Sequence, residues 1–340
     1  MDLPVMPPVA PMLAKLKEEM PVGEGWLYEP KWDGFRAIVF RDGDELLIAS
    51  RDKKPLDRYF PELEDPLKAA LPERCVVDGE IVVATEGGLD FDALLLRIHP
   101  AASRVKMLAA EHPTSFVAFD LLAEGDTSHM ETAFGDRRAA LEAFLPQGSP
   151  DEVPGKLDVL LTLQTEDPDQ GQQWFEGLEV LGLDGIIAKR TEGTYKPNER
   201  SLVKVKHKHT VDCVVAGYRP NKTKDGIGSL LLGLYSDGVL HYVGHTSSFK
   251  AAERREMLKE LKEIEGEGGF GAGRTPGGPS RWKGGQEDTW VALQPILVCE
   301  VSYDYLQGDR FRHASTFQRW RPDKPPEECV WNQLHDPRRS

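Results

Sequence analysis

Residues 29–36 read Glu-Pro-Lys-Trp-Asp-Gly-Phe-Arg and place one lysine, Lys31, among apolar and acidic neighbours. Taken alone, such a lysine is explained most simply as a surface residue on a strand edge. A free lysine has a pKa of about 10.4, so it is protonated and not nucleophilic near neutral pH. If Lys31 is a nucleophile, partial burial or nearby positive charge, from other lysines or a divalent metal, has to lower that pKa.

Further short motifs follow this stretch along the chain. They are Ser50-Arg51, Asp78-Gly79-Glu80, Phe119-Asp120, residues 184–189 (Asp-Gly-Ile-Ile-Ala-Lys) and residues 202–206 (Leu-Val-Lys-Val-Lys). An Asp-Gly pair is also typical of a hairpin turn, and a phenylalanine in an apolar run is usually a core residue. Period-two alternation puts Lys204 and Lys206 on one face of a strand. Two ammonium groups there suit a triphosphate, although any strand with one solvated face has the same pattern.

Charge is distributed unevenly over the chain. The net charge is −14, which argues against a general nucleic-acid-binding surface. Two stretches are nevertheless locally basic, residues 189–209 and residues 310–324. Local basic stretches on an acidic protein fit a focused phosphate site, but on charge alone solvated faces are the favoured interpretation.

The 340 residues and their 40% hydrophobic content predict two domains with real cores. No apolar run is long enough to span a membrane, and the start of the chain lacks the pattern of a secretory signal. The prolines of residues 1–14 predict an extended arm on the surface. The four cysteines are far apart and form no zinc motif, which indicates free thiols in a reducing cytosol.

The first two hundred residues mix strand and helix patterns without strict alternation, which predicts an α+β fold rather than a Rossmann sheet. The predicted strands are Leu27–Phe40, Leu46–Ser50, Cys75–Ala84 and Thr114–Leu122. The predicted helices are Pro61–Leu71, Arg137–Phe144 and Gln170–Leu181, the last ending at Gly182.

The pattern changes near residue 210. Strand-like runs at Val211–Tyr218, Ser229–Tyr235 and Val239–His245 precede a charged helix at Phe249–Ile264, a glycine-rich loop at Gly266–Gly285 that we expect to be flexible, and a strand at Ile296–Tyr303. Three strands, a helix and further strands follow the element order of an OB barrel. Another small β domain fits that order as well.

Lys31-Trp-Asp-Gly with Arg36 resembles the KxDGxR motif of the covalent nucleotidyltransferases, which comprise DNA ligases, RNA ligases and mRNA capping enzymes. The later motifs resemble those of the same family in the same order. Residues 310–324 resemble the last motif of DNA ligases, with Arg319, Arg321, Asp323 and Lys324 at the matching positions. The resemblance covers about residues 8–332 and is strongest to the small bacterial ATP-dependent DNA ligases of the C type.

This resemblance implies a fold and an activity. The expected fold is α+β: an adenylation domain with antiparallel sheets over residues 1–209, followed by a β-barrel OB-fold domain over residues 210–340. The expected activity uses ATP and Mg²⁺ or Mn²⁺. Lys31 takes AMP from ATP, AMP moves to the 5′ phosphate of a nick in duplex DNA, and the 3′ hydroxyl displaces it to seal the strand.

The resemblance also implies a role for each matching residue. Glu29 contacts the adenine amino group, which favours ATP over GTP, and the Phe119 ring stacks on the purine. Glu80 serves the ribose and the metal, and Asp184, where most relatives have glutamate, binds the metal directly or through water. The remaining nucleotide- and phosphate-binding positions are Arg36, Arg51, Lys204, Lys206, Arg319, Arg321 and Lys324.

Several alternatives stay open. Residues 52–54 read Asp-Lys-Lys where many relatives place a glycine, so the conformation of that loop is not predicted. An RNA ligase, an inactive nucleotide- or DNA-binding module and a basic-patch DNA binder are the rival functions. The expected partner is nicked duplex DNA, with a repair polymerase or primase as a further candidate, for a cytoplasmic, nucleoid-associated monomer. The absence of a large amino-terminal clamping domain predicts a nick affinity that depends strongly on salt.

Overall fold

The computed structural model describes residues 1–148, 154–155, 157–266, 269–271, 289–304 and 306–334. The chain separates into two compact units, unit 1 over Met1–Lys206 and unit 2 over His207–Ser340. The sequence patterns placed a predicted domain boundary between residues 209 and 210. Within the described ranges no helix is both long and apolar enough to cross a membrane.

Unit 1 contains helices and strands in mixed order. Its strands are β1 (Leu13–Lys17), β2 (Trp26–Pro30), β3 (Phe35–Asp42), β4 (Glu45–Ser50), β5 (Arg74–Val82), β6 (Ala84–Thr85), β7 (Gly88–Leu89), β8 (Ser115–Glu124), β9 (Thr127–Ser128), β10 (Val159–Leu161), β11 (Ile186–Arg190) and β12 (Arg200–Val205). Its helices are α1 (Glu64–Ala70), α2 (Phe91–Leu96), α3 (Ala102–Glu111), α4 (Phe134–Glu142) and α5 (Pro168–Gly177).

The larger sheet of unit 1 has the order β10-β8-β5-β3-β4, with β9 paired to β8. Its central pairs are antiparallel, and β10 alone runs parallel to its neighbour β8. Both faces of β3 are buried: Ala37 and Val39 pack into one apolar cluster, and Ile38 and Phe40 pack into another. Because neither face meets water, the strand reads as a continuous apolar run rather than an alternating one.

The smaller sheet has the order β1-β12-β11-β2, and β11 is antiparallel to both of its neighbours. It includes a strand that the sequence patterns did not predict, since β1 pairs in parallel with β12. Residues 1–14 were expected to lie on the surface, and that prediction is wrong. Leu3, Val5 and Met12 are each less than 10% exposed and pack in the cluster that contains Phe40, because their apolar side chains cover one face of the larger sheet.

The predicted strand at Leu27–Phe40 is two strands, β2 and β3, separated by residues 31–34. Gly34 lies in this break, and a Cβ there would sit 2.2 Å from the backbone oxygen of Ile81. Only glycine allows β5 to approach so closely. As predicted, the chain leaves the helical turns after α5 at Gly182, which has a φ of +81°.

Unit 2 is built on one antiparallel sheet. Its strands are β13 (His209–Pro220), β14 (Ile227–Ser236), β15 (Val239–Thr246), β16 (Val291–Tyr303), β17 (Leu306–Gln307), β18 (Arg310–Phe311) and β19 (Thr316–Trp320), and its helix is α6 (Ala251–Lys262). The sheet order is β15-β14-β13-β16-β19. In the residues described here this sheet does not close into a barrel, and an isolated bridge joins Thr246 to Ser315.

The predicted class is therefore confirmed: unit 1 is α+β with mostly antiparallel sheets, and unit 2 has the strand and helix order of an OB-like domain. The predicted glycine-rich loop at 266–285 lies mostly outside the described residues. The four cysteines are buried free thiols, as expected.

Candidate active site

Two lysines share one carboxylate beside the smaller sheet of unit 1. The Asp184 Oδ2 atom lies 2.7 Å from the Nζ atom of Lys31 and 2.7 Å from the Nζ atom of Lys206. Lys31 follows β2 and Asp184 precedes β11, and the Asp184 amide donates to the Lys31 carbonyl at 2.9 Å. The antiparallel pairing of β11 with β2 and β12 thus brings residues from three distant motifs together. We call Lys31, Asp184 and Lys206 the lysine cluster.

The charges of the lysine cluster shift its ionisation. Burial acts to lower the pKa of Lys31, but Asp184, Asp33 and Glu80 outweigh it and hold that pKa above its ordinary value. Burial acts to raise the pKa of Asp184, but Lys31 and Lys206 hold it below its usual range. The protein's own carboxylates therefore keep Lys31 in its charged form, opposite to the shift that nucleophilic attack requires.

Lys204 shows the opposite behaviour from Lys31. Its pKa is lowered, first by burial and then by the positive charges of Lys206 and Lys31. Lys204 lies in β12, and Lys206 directly follows the last residue of that strand, Val205. The positive charge of Arg51 also acts to lower the pKa of Lys204. The positive charges of Arg51, Lys206 and Lys31 thus all act on Lys204.

The loop after Arg51 takes a conformation that glycine would adopt more easily. Lys53 has a φ of +63°, in the left-handed region. Its amide donates to the Ser50 carbonyl at 2.8 Å, and the Lys54 amide donates to the Ser50 Oγ atom at 3.0 Å. These hydrogen bonds hold the tight turn without a glycine and leave Arg51 exposed.

Glu80 lies in the middle of β5, paired in register with Arg36 of β3. Burial raises the pKa of the Glu80 carboxyl to about 7, although Arg36 and Lys31 oppose the shift. The described residues contain no group of three or more His, Cys, Asp or Glu side chains able to hold a metal. Mg²⁺ needs only one or two carboxylates when substrate phosphates and water complete its shell, and Glu80 and Asp184 as its ligands stay a prediction.

Arg36 is held by Asp78, a residue of the Asp-Gly-Glu motif to which the sequence patterns gave no role of its own. Its guanidinium donates to both carboxylate oxygens of Asp78 at 2.7 Å, and Asp78 is fully buried. The Tyr195 hydroxyl donates to Asp78 at 2.5 Å and accepts the Met12 amide at 3.2 Å. Asp78 was visible in the Asp-Gly-Glu motif, but no local pattern marked Tyr195. Burial acts to lower the pKa of Arg36, but Asp78 outweighs it and raises the pKa.

The Asp78-Gly79 pair is not a hairpin turn, because it lies in the middle of β5. A Cβ at Gly79 would sit 2.3 Å from the ring of Phe116, so the glycine allows that ring to pack against the strand.

Glu29 is buried with cations around its carboxylate. Its Oε2 atom lies 2.7 Å from the Nζ atom of Lys189, and its Oε1 atom accepts from the Gln164 amide at 3.1 Å. The Nη1 atom of Arg138 lies 3.9 Å from Oε1. Neither Arg138 nor Gln164 was a predicted site residue, and no sequence pattern connects them to Glu29.

Phe119 of β8 is 9% exposed, and its ring contacts two cations. The Arg36 guanidinium lies 4.5 Å from the ring centroid, and the Lys189 ammonium lies 4.9 Å from it. Such contacts are attractive because the face of an aromatic ring carries partial negative charge. The structure joins Phe119 to Arg36 and to Lys189, whereas its stacking on a purine stays a prediction.

The basic motif of unit 2 is paired with carboxylates of the same unit. Arg321 donates to both oxygens of Asp212 at 2.9 Å and forms a second ion pair with Asp323 at 2.8 Å. The hydrogen bond from Arg321 lowers the pKa of Asp323 to about 2. Arg319 lies 2.6 Å from Glu300, and Lys324 lies 3.3 Å from Glu328.

Known proteins and protein families match nearly the whole chain. A family model described as the ATP dependent DNA ligase domain matches residues 10–206, and one described as the ATP dependent DNA ligase C terminal region matches residues 223–324. The chain is 49% identical over 348 residues to DNA ligase C1 of Mycolicibacterium smegmatis, covering 99% of this chain and 97% of that protein. It is 49% identical over 350 residues to DNA ligase C of Mycobacterium tuberculosis, covering 99% and 96%.

Two further likenesses are more distant. The multifunctional non-homologous end joining protein LigD of M. smegmatis is 30% identical over 318 residues, which are 90% of this chain and 37% of that protein. Among solved structures, one from a structure-function study of Lig E DNA ligases aligns with a TM-score of 0.56 and 18% identity, covering 92% of this chain and all of that one. This last likeness concerns the fold alone.

Proposed function

The chain belongs to the family of ATP-dependent DNA ligases, and from this premise we propose which of its residues carry out each part of nick sealing. As a member of that family it is an enzyme that takes AMP from ATP with the help of a divalent metal and acts on nicked DNA. The observation that carries the residue assignment is the lysine cluster, in which one buried carboxylate holds both Lys31 and Lys206.

In the first step Lys31 is the nucleophile. A bond forms between its Nζ atom and the α-phosphorus of ATP, and the bond from that phosphorus to pyrophosphate breaks. The ammonium has to lose a proton first, and Asp184 holds it in the charged form until then. Lys204 and Lys206 bind the α-phosphate, where fixed cations stabilise the charge that moves during the reaction.

The nucleotide is oriented by residues of the two sheets of unit 1. We assign Glu29 and Phe119 to the adenine base and Glu80, Arg36 and Arg51 to the sugar and phosphates. Glu80 and Asp184 would hold the divalent metal, which supplies positive charge to the triphosphate.

The second and third steps act on DNA. AMP passes from Lys31 to the 5′ phosphate of the nick, and the 3′ hydroxyl then displaces AMP to form the phosphodiester bond. We assign Arg319, Arg321 and Lys324 of unit 2 to phosphate binding, because arginine can clamp a phosphate with two parallel hydrogen bonds. To do so, Arg321 has to exchange its present carboxylate partners for phosphate oxygens.

The test is label transfer. Protein stripped with pyrophosphate is incubated with Mg²⁺ and ATP labelled at the α-phosphate, and is then run on a denaturing gel beside a Lys31→Ala variant and a labelled GTP control. We expect label only on the wild type and only from ATP. No label on folded wild-type protein would contradict the scheme and favour an inactive nucleotide- or DNA-binding module.

An RNA ligase is the rival within the same chemistry. Sealing of a nicked DNA duplex is compared with sealing of a nicked RNA duplex of the same sequence. We expect faster sealing of DNA, and the reverse preference would assign the chain to RNA.

We also propose that the ligase serves DNA repair in the cytoplasm, close to the nucleoid, as a monomer that works with a repair polymerase or primase. The similarity to a protein named for non-homologous end joining supports the repair role. Sedimentation at micromolar concentration tests the monomer, and co-purification with a polymerase or primase from the source cells tests the partner.

A further inference from the structure

We propose that Tyr195 is a positioning residue for the transfer of AMP to Lys31, because its hydroxyl closes a circuit of hydrogen bonds that fixes the guanidinium of Arg36. The inference rests on the proposed function, in which Arg36 binds the sugar and phosphates of the nucleotide. In this scheme Tyr195 does not touch the reacting atoms and acts through Arg36.

The circuit joins four residues that lie far apart in the sequence. The Met12 amide donates to the Tyr195 hydroxyl at 3.2 Å, and that hydroxyl donates to the Oδ2 atom of Asp78 at 2.5 Å. The Nη2 atom of Arg36 donates to the same Oδ2 atom at 2.7 Å and to the Met12 carbonyl at 3.3 Å. The hydrogen bonds thus return to the residue from which they start. We call Met12, Tyr195, Asp78 and Arg36 the Arg36 circuit.

Three members of the Arg36 circuit are shielded from water. Met12 is 4% exposed, Tyr195 is 2% exposed and Asp78 is fully buried. The Arg36 side chain, in contrast, is 23% exposed, so it is the member that a bound nucleotide can reach. A binding group whose partners are themselves locked by packing and hydrogen bonds keeps a precise orientation. The buried part of the circuit therefore serves as a frame for one accessible guanidinium.

The hydroxyl of Tyr195 is a fixed donor in this frame. Burial, and after it the charge of Asp78, raises the pKa of Tyr195 well above its ordinary value, so the hydroxyl keeps its proton near neutral pH. The Tyr195 amide donates to the Met130 carbonyl at 2.9 Å, and the Arg137 guanidinium lies 5.8 Å from the centre of the Tyr195 ring. Both the main chain and the side chain of Tyr195 are thus held in place.

Tyr195 also connects the two sheets of unit 1. It lies in the segment between β11 and β12 of the smaller sheet, whereas Arg36 and Asp78 lie on β3 and β5 of the larger sheet. In the proposed function the lysines of the smaller sheet and Arg36 of the larger sheet bind the same nucleotide. A misplacement of about 1 Å in such a site can cost roughly 10²-fold in rate. The hydrogen bond from Tyr195 to Asp78 is one contact that keeps the two sides in register.

The experiment is a double-mutant cycle on label transfer from ATP labelled at the α-phosphate. The values of kcat and KM are measured for the wild type, Tyr195→Phe, Arg36→Lys and the double variant. Tyr195→Phe removes only the hydroxyl and keeps the ring beside Arg137. The matched control is Tyr28→Phe, because Tyr28 is also buried and its hydroxyl donates to the Pro21 carbonyl at 2.7 Å.

In Tyr195→Phe we expect kcat to fall by about tenfold while the KM for ATP changes by less than about twofold. The reason is that the charge of Arg36 remains and only its orientation is lost. In the Arg36→Lys background the same change should alter kcat by less than about twofold, because lysine is a flexible point charge without the planar donors that the circuit orients. Tyr28→Phe should leave kcat at the wild-type value.

An equal fall of kcat in both backgrounds would show that Tyr195 acts on the fold and not through Arg36, and would overturn the proposal. An unchanged kcat in Tyr195→Phe would overturn it as well. If Arg36→Lys takes up no label, the values for Tyr195→Phe decide, and a change confined to KM would contradict the proposal.

Melting curves of all five proteins accompany the kinetics. If a variant melts close to the assay temperature, sucrose, which strengthens burial, is added to every assay so that only folded proteins are compared. Failure of the proposed function gives a different result, since the wild type itself then takes no label from ATP.

Discussion

The lysine cluster of unit 1 and the Arg321 group of unit 2 use the same kinds of charge in opposite proportions. In the lysine cluster two ammonium groups share one carboxylate that is 9% exposed. In unit 2 one guanidinium is shared by two carboxylates, and one of them, Asp323, is 64% exposed. The first arrangement leaves a surplus of positive charge in a partly buried place, and the second covers a cation with acid at the surface.

This difference explains how each group meets a polyphosphate. An excess of cations with little water around them attracts an anion strongly, because the field is poorly screened. A cation covered by carboxylates has to release them first. Burial, and after it positive neighbours, lowers the pKa of Lys204. Asp323 and Asp212, in contrast, raise the pKa of Arg321. We therefore regard unit 1 as the preformed anion site and Arg321 as a residue that changes partners.

The largest effect should come from removing the nucleophile. In Lys31→Ala no Nζ atom remains to accept AMP, and we expect label transfer and nick sealing to fall by at least about 10³-fold. Gel-based label transfer and sealing of a nicked duplex measure both steps. Sealing at the normal rate would show that the lysine cluster does not supply the nucleophile, and would contradict the contrast drawn between the two groups.

Removing the shared carboxylate should weaken the fold of unit 1. In Asp184→Ala two ammonium groups face each other without their counter-charge, and we expect the free energy of unfolding to drop by about 3 kcal/mol. Urea denaturation measures the change. Asp323→Ala is the matched variant in unit 2 and should shift the midpoint much less, because solvent screens that pair. Equal shifts would show that burial does not separate the two groups.

Binding of nicked DNA should depend strongly on salt, because the phosphate contacts of a protein with a net charge of −14 come from few local cations. Counterion release predicts a loss of affinity of at least about tenfold between roughly 50 and 200 mM salt. Fluorescence anisotropy with a labelled nicked duplex measures it. A flat affinity over this range would mean that the basic motifs of both units contribute little to DNA binding.

A smaller effect should follow from uncovering Arg321. In Asp212→Asn one of its two carboxylate partners loses its charge, and we expect nicked DNA to bind about two- to fivefold more tightly at low salt. The same anisotropy titration measures this change. Weaker binding would instead show that Asp212 orients Arg321 for its phosphate, so this variant distinguishes covering from positioning.

The smallest effect concerns the surface pair of Arg319 and Glu300. The Arg319 side chain is 65% exposed, and such pairs contribute little to stability. In Arg319→Ala the free energy of unfolding should change by less than about 0.5 kcal/mol. Thermal unfolding followed by circular dichroism measures it, with the wild type as reference. A marked loss of stability would show that this exposed pair contributes to the free energy of unfolding as a buried ion pair does.

Local patterns determined much of this protein. The run from Cys75 to Ala84 predicted β5 because apolar and β-branched residues favour strands. The alternation of valine and lysine in residues 202–206 predicted a strand, which the structure has as β12 up to Val205. The order of motifs from Lys31 to residues 310–324 was enough to indicate the family. These features depend on residues that are neighbours along the chain. The sequence therefore contains all the information needed to predict them.

The tertiary structure alone decided which side chains meet. Gln164 reaches Glu29 across 135 residues, and Tyr195 reaches Asp78 across 117. Asp184 joins Lys31 to Lys206 because β11 lies between β2 and β12, and no local pattern states that order. The carboxylates that the fold brings around Lys31 raise its pKa, whereas a nucleophilic lysine requires a lowered one. The sequence did not show this, because a pKa depends on the charges around a group in space and not on its neighbours along the chain.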